Sequence, residues 1–403
     1  MKLSRAALAV ALALAASGPA LAQQPAAAQP VRSLALSPAE RNVVAALGNT
    51  VAGQDRAAQD QAMTAARAAV RSPEGRHAVG YYQLQIADRR GDAALRAQAI
   101  DLLVESGQAT PEEMGPLLAN QATRGLAAGD VPRTERLLAR IIELQPNNAG
   151  ALADYAEFKV RMGEPGNGVL YLVRAVDAAQ ASGRPAPESW ILRGLALAFD
   201  GRMAPQAGIF ARALVANYPS AVNWRDALLA YRELAPADPA LPIDVQRLMR
   251  ASQALSGERD YNEYAEAAVR AQQIGEAKAV LDEGVSRGMV ATARIPRELV
   301  AATAARAATA ERGRLAAART GALAPAGTGS QARAAGDLHF GNGLYAEAAE
   351  LYRAALQKGG EDANLVNSRL GAALALAGRR AEAEVALRAV TGPRADLAGF
   401  WLA

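Results

Sequence analysis

Apolar positions along the chain recur at three and four residues and almost never alternate. Ala348, Leu351, Tyr352 and Ala355 show the pattern, falling on one face of a 3.6-residue period. Runs of β-branched and aromatic residues with period two, the mark of half-buried strands, are nearly absent, whereas Ala, Leu, Arg, Glu and Gln dominate. The pattern predicts helices of about 12 to 16 residues joined by short turns. Their starts are well marked. Ser37-Pro38-Ala39-Glu40 and Thr110-Pro111-Glu112-Glu113 each offer a capping hydroxyl, a proline at the first helical position and a glutamate at the third. Gln145-Pro146 and Tyr218-Pro219 mark helix ends.

The helices repeat. Gly336, Gly343 and Ala348 recur at Gly371, Gly378 and Ala383, a shift of 35 residues. Leu118, Gly129 and Ile141 recur at Leu152, Gly163 and Ala175, and Trp190 at Trp224, a shift of 34 in each case. The 38 residues from Gly163 to Gly201 include a proline-rich insertion at Gly183-Arg184-Pro185-Ala186-Pro187. A fixed period of this size belongs to stacked helix pairs, none of which buries its apolar face alone. The expected fold class is therefore all-α, an α-solenoid of stacked antiparallel helix pairs. Small residues at 336, 348 and 355 are expected to let the two helices of a pair approach closely.

Residues 336–356, with Gly336, Gly343, Ala348, Tyr352 and Ala355 at their places, resemble one tetratricopeptide repeat, and Trp190, Gly194, Gly201, Phe210, Ala213 and Pro219 fit the same template. Ile141-Ile142-Glu143-Leu144-Gln145-Pro146-Asn147-Asn148-Ala149 is similar to the usual repeat end. Together with the N-terminal segment described below, the chain looks like the periplasmic tetratricopeptide-repeat proteins of alphaproteobacteria. Good matches cover roughly half of it. Residues 37–75 and 240–320 depart from the template, and Gly168 stands where the small residue of the second helix is usually alanine. The resemblance implies a superhelix whose first helices line a concave wall that receives a partner protein or peptide. Carried onto this chain, the non-packing positions of those helices are Glu157, Arg161, Arg225, Arg232, Arg333, Asp337, Phe340 and Ser368. The arginines among them suit bidentate pairing with partner carboxylates.

The N-terminus changes the expected compartment. Lys2 and Arg5 precede an uncharged run over 6–16, then Gly18-Pro19 and Ala20-Leu21-Ala22. That order reads as a secretory signal cleaved after Ala22, hence an exported, periplasmic protein. The run is too short to cross a bilayer, which takes about 20 residues. The expected organisation is a signal peptide over 1–22, a lead-in over 23–36, a helical array over 37–319, a Gly/Pro/Ser/Thr-rich linker over 320–332 and a C-terminal repeat pair over 333–403. The closing Phe400-Trp401-Leu402 is expected to be packed.

Chemistry adds little. There is no cysteine, and His77 and His339 are the only histidines, so Cys/His dyads and transition-metal sites lack material, and no cofactor is expected. Gly341-Asn342-Gly343-Leu344-Tyr345-Ala346 matches a dinucleotide fingerprint in letters, but that fingerprint needs a preceding strand and here a helix precedes it. Acids paired in sequence, Glu112-Glu113 and Glu361-Asp362, fall at helix starts and turns, where the helix dipole favours them. The 44 Lys and Arg residues interleave with 40 Asp and Glu, which argues against a nucleic-acid stripe. The basic, alanine-rich stretch 297–319 offers too little apolar area for membrane anchoring and reads as a spacer helix. The leading functional expectation is a non-enzymatic interaction scaffold, in envelope assembly or polysaccharide secretion. The alternatives are an accessory subunit or envelope-remodelling enzyme with a site within 240–320, and a self-assembling structural protein.

Overall fold

A computed structural model describes residues 35–403; the expected signal peptide and most of the expected lead-in lie outside the described residues. Every regular element in it is helical, with no strand among the described residues. The helices fall into two units, one ending at Gly129 and one beginning at Asp130.

The first unit holds α1 (Pro38–Thr50), α2 (Arg56–Ala69), α3 (Pro73–Arg90), α4 (Ala93–Ser106) and α5 (Pro111–Ala127). α1 packs on α2, and α3 on α4. Both anticipated capping boxes form, at Ser37 with Glu40 and at Thr110 with Glu113. The core joins Val44 and Leu47 to Met63, Ala66 and Ile86. Arg90 of α3 reaches back to Asp60 of α2 at 2.7 Å. Glu40 does more than cap its own helix. One oxygen accepts from the Ser37 backbone and hydroxyl at 3.1 and 2.9 Å, and the other accepts the backbone N–H groups of Arg71 and Ser72, both at 2.9 Å. It thereby ties the start of α1 to the turn before α3.

The second unit runs through α6 (Val131–Leu144), α7 (Ala149–Arg161), α8 (Pro165–Ala181), α9 (Glu188–Asp200), α10 (Ala204–Asn217), α11 (Ala221–Leu234), α12 (Leu241–Ala251), α13 (Gly257–Arg270) and α14 (Ile274–Ser286). It continues with α15 (Arg297–Ala302), α16 (Ala305–Leu323), α17 (Gly329–Gly341), α18 (Tyr345–Lys358), α19 (Ala363–Leu376), α20 (Arg380–Arg388) and α21 (Ala395–Leu402). Consecutive helices pack as hairpins: α7 with α8, α9 with α10, α13 with α14, α17 with α18 and α19 with α20. Glycine sets the approach inside these pairs. Gly194 lies under the Phe210 ring, and a Cβ on Gly336 would stand 2.7 Å from the Tyr352 ring. Ala348 and Ala355 are fully buried beside that contact, as the close-approach reading requires.

Three features differ from the sequence reading. The expected linker over 320–332 is mostly helix: α16 runs to Leu323, α17 begins at Gly329, and Ala322 and Ala332 share one core with the C-terminal helices. Glycine and proline there make a tight turn, with Gly329 closed against the Gly359 carbonyl. The expected single helix over 297–319 is broken between Ala302 and Ala305 into α15 and α16. The irregularity of 240–320 centres on α12. Pro236, Pro239 and Pro242 interrupt the helical run around its start, and eight of its eleven residues are buried: Leu241, Ile243, Asp244, Val245, Gln246, Arg247, Leu248 and Met249. A helix buried all round is an interior element, and α12 accordingly touches α19 as well as its neighbours α11 and α13.

The Glu40 carboxyl is pulled down to about 2, first by the Ser72 and Arg71 N–H groups and then by Ser37. A depressed carboxylate contributes stability above its unfolded pKa and loses it as pH falls through the folded value. In chemical denaturation, the destabilisation caused by Glu40→Gln is therefore expected to be largest near neutral pH and to shrink as pH is lowered from about 5 towards 2. A pH-independent difference would contradict the bonding assigned to this carboxylate.

Candidate binding surface

Most of the anticipated wall residues are already paired, one repeat away. Within the second unit, Glu157 of α7 accepts from Arg193 of α9 at 3.1 Å, Glu188 of α9 accepts from Asn223 of α11 at 2.7 Å, and Arg225 of α11 binds Asp260 of α13 through both nitrogens. Arg232 meets Glu263 at 3.1 Å. Further along, Arg333 bridges Asp337 at 2.9 Å and Glu361 at 2.5 Å. The bonds from α7 to α9, α9 to α11 and α11 to α13 span 31 to 36 residues, about one repeat period, and act as rungs between equivalent helices. Arg333, by contrast, pairs within α17 and with the turn before α19. Arg161 stands exposed at the end of α7.

Asp337, Phe340 and Ser368 are buried, which corrects their placement on an open wall. The cause is α12 together with the C-terminal segment. Arg369 of α19 donates to Asp337 at 2.8 Å and to Asp244 of α12 at 3.0 Å. Arg394, just before α21, donates to the same Asp244 at 2.8 Å and pairs with Asp238 at 2.6 Å. Arg247, next along α12, forms a two-pronged pair with Glu276 of α14 at 2.9 and 2.7 Å and lies 4.3 Å over the Phe340 ring. Tyr352 and Tyr264 complete the cluster, donating to Asp337 at 2.8 Å and to Glu276 at 2.7 Å. Three buried carboxylates thus face three buried guanidiniums: Asp244, Asp337 and Glu276 against Arg247, Arg369 and Arg394. Burial pushes the Asp244 carboxyl up, but Arg369, Arg247 and Arg394 outweigh it and hold the group below its usual range. Burial and the neighbouring carboxylates push both tyrosines well above their ordinary value, so they remain neutral donors.

α21 seals the arrangement. Phe400 is buried 5.6 Å from the Tyr231 ring and 6.4 Å from Trp224, and Asp396 pairs with Arg212 of α10. The packed-terminus reading holds for Phe400, while Leu402 remains exposed. The first-helix side of α17 and α19 is therefore occupied by the chain itself.

The first-helix side of α7, α9 and α11 presents a different surface. Asp154, Arg193 and Asp226 are each the sixth residue of their helix and so share one register. Asp154 and Asp226 are exposed to solvent. Partial desolvation nevertheless raises both carboxyls, with Arg225 opposing the shift at Asp226. Both carboxylates thus reach solvent while being partly surrounded by protein. The sequence reading missed Asp154 and Asp226; the helix register beside Arg193 was the available signal.

A cavity of 840 Å³ lies partly in the stretch where an enzyme site was the alternative, between α12, α14 and the turn from α17 to α18. Its carboxylates are each held by a cation: Glu276 by Arg247, Glu283 by Arg250 at 2.7 Å and Asp282 by Lys278 at 2.7 Å. The Gly341–Gly343 turn forms part of its lining, with a helix before it as the sequence implied. His339 is buried and donates from Nδ1 to the Ala335 carbonyl at 2.8 Å, a packing role. His77 lies inside α3, its Nδ1 3.4 Å from the Ser106 hydroxyl. No group of three or more potential metal ligands occurs among the described residues, and no helix there is long and apolar enough to cross a membrane. No protein-family model and no curated protein matches the chain. Fold and surface together define an all-α array of helix hairpins.

Removing one partner from a buried ion pair strands the others, at a cost of roughly 3–5 kcal/mol. Asp244→Asn is expected to destabilise the second unit on that scale in denaturant titration. Glu384→Gln, which breaks the exposed pair with Arg388, should change stability by less than about 1 kcal/mol. Equal effects from the two substitutions would contradict the central position of Asp244.

Proposed function

We propose that this chain is an exported interaction scaffold of the tetratricopeptide-repeat type, which binds a partner protein or peptide along the wall of α7, α9 and α11. The observation that carries this reading is the shared register of Asp154, Arg193 and Asp226 on the first helices α7, α9 and α11, with Asp154 and Asp226 open to solvent although α21 packs on Trp224 and Tyr231 of α11. Rungs such as Glu157 to Arg193 hold the wall's side chains in place before a guest arrives. Pre-ordering of this kind lowers the entropy lost on binding. The alternating sign of the register, acid then base then acid, suits an extended or helical segment carrying charges of both signs. The period of 34 to 35 residues and the glycine-to-aromatic contacts at Gly194 and Gly336 support the family assignment. The order of residues 1–22 supports export to the periplasm.

The test is site-specific photo-crosslinking in cells that express the full chain. A photoreactive residue at position 161 or 226 should yield a discrete protein adduct, whereas one at exposed Arg174 on α8 should not. Absence of adducts from the wall, or the same adducts from all three positions, would overturn the proposal.

A further inference from the structure

We infer that the cavity between α12, α14 and the α17–α18 turn is a binding site for a small polyanion, a polycarboxylate or a phosphate compound, distinct from the partner wall. Its volume of 840 Å³ is that of a small-molecule site, for which about 300–1,000 Å³ is usual. Its charge is unbalanced. Arg247, Arg250, Lys278, Arg287 and Arg312 line it against only Glu276, Asp282 and Glu283. Each carboxylate already has its own cation, in the pairs with Arg247, Lys278 and Arg250. Two guanidiniums are left in excess. Arg312 of α16 is exposed and forms no ion pair among the described residues. Among the described residues, Arg287 has only the Tyr261 hydroxyl at 3.1 Å and a long contact of 3.5 Å to the already neutralised Glu283.

A second observation lies deeper. Arg247 is 4% exposed, yet its Nη1 makes no hydrogen bond. Asp244 Oδ1 stands 3.5 Å away, close enough to attract the charge and too far for a good bond. That nitrogen faces Asp244, while the nitrogens towards Glu276 and the cavity are already bonded, so Arg247 adds positive charge to the wall and the contacts to an anion fall to Arg312 and Arg287. Local backbone donors are already satisfied. Glu311 accepts from Ile274 and Gly275 at 2.7 and 2.8 Å, and from Asn342 at 2.9 Å. The demand for a further anion therefore rests on the guanidiniums, which favour a ligand carrying at least two charged groups over a single carboxylate.

The experiment is calorimetric titration of the full chain with citrate, with pyrophosphate and with a short polyglutamate peptide. Citrate or pyrophosphate is expected to bind saturably with Kd below about 1 mM, and the stronger of the two identifies the anion class. Arg312→Gln and Arg287→Gln should each weaken that binding about tenfold, through loss of one charge-assisted contact. Arg380→Gln, at an exposed position of α20, should leave it unchanged. Both test residues lie on the surface, so folding is preserved and circular dichroism confirms it. The proposal is overturned if neither small anion binds saturably, if Arg380→Gln weakens binding as much as Arg312→Gln does, or if only the peptide binds. The last result would make the cavity part of the protein-binding surface. Failure of the crosslinking experiment would leave this titration untouched.

Discussion

Asp244 is the residue on which the second unit turns. It lies on a helix buried on every side and accepts from Arg369 and Arg394, which are 125 and 150 residues further along the chain. A buried carboxylate without such partners would either protonate or drive its helix back to solvent. With them, α12 is held inside the array, and the segment leading into α21 is drawn to the same point. Apolar packing of Phe400 against Tyr231 and Trp224 then makes the closure dry. The alternative of an all-apolar interior is often no less stable. What the charges add is register: Asp244 can satisfy both arginines only with the helices in one arrangement.

The same logic recurs at lower intensity along the array. Hairpins form because glycine permits close approach, as at Gly194 under Phe210 and Gly336 under Tyr352. Neighbouring hairpins are then aligned by polar rungs about one repeat long, among them Glu157 to Arg193 and Arg225 to Asp260. Exposed rungs contribute little stability individually, but they fix the side chains of the wall. The proposed function rests on where closure stops. At α17 and α19 the chain covers Asp337, Phe340 and Ser368, while Asp154 of α7 and Asp226 of α11 stay open to solvent.

Local features were legible in the sequence because each depends on a few neighbouring residues. Capping at Ser37 and Thr110 and the small-residue contacts of the C-terminal pair follow from nearest-neighbour chemistry. The fold class followed from the period. The interior was not legible in this way, because Asp244, Arg369 and Arg394 meet only through long-range topology, and Asp337 reads as a surface acid until Arg369 and Tyr352 are placed beside it. One hint existed: Ile243 points away from the stripe of Leu241, Val245 and Leu248, as it does on a helix buried all round. The expected linker failed for a related reason. Glycine and proline mark a turn, and a turn between two helices of one core has the same composition as a boundary between domains.

Amide hydrogen exchange, resolved by peptide, tests this account most directly. If Asp244 holds α12 inside the array, the amides of α12 belong to the most protected class of the second unit and open only with it. The solvent-exposed α16 should exchange much sooner. Exchange of α12 at the rate of α16, or faster, would show that the helix lies outside, and the division between covered and open wall residues would not stand.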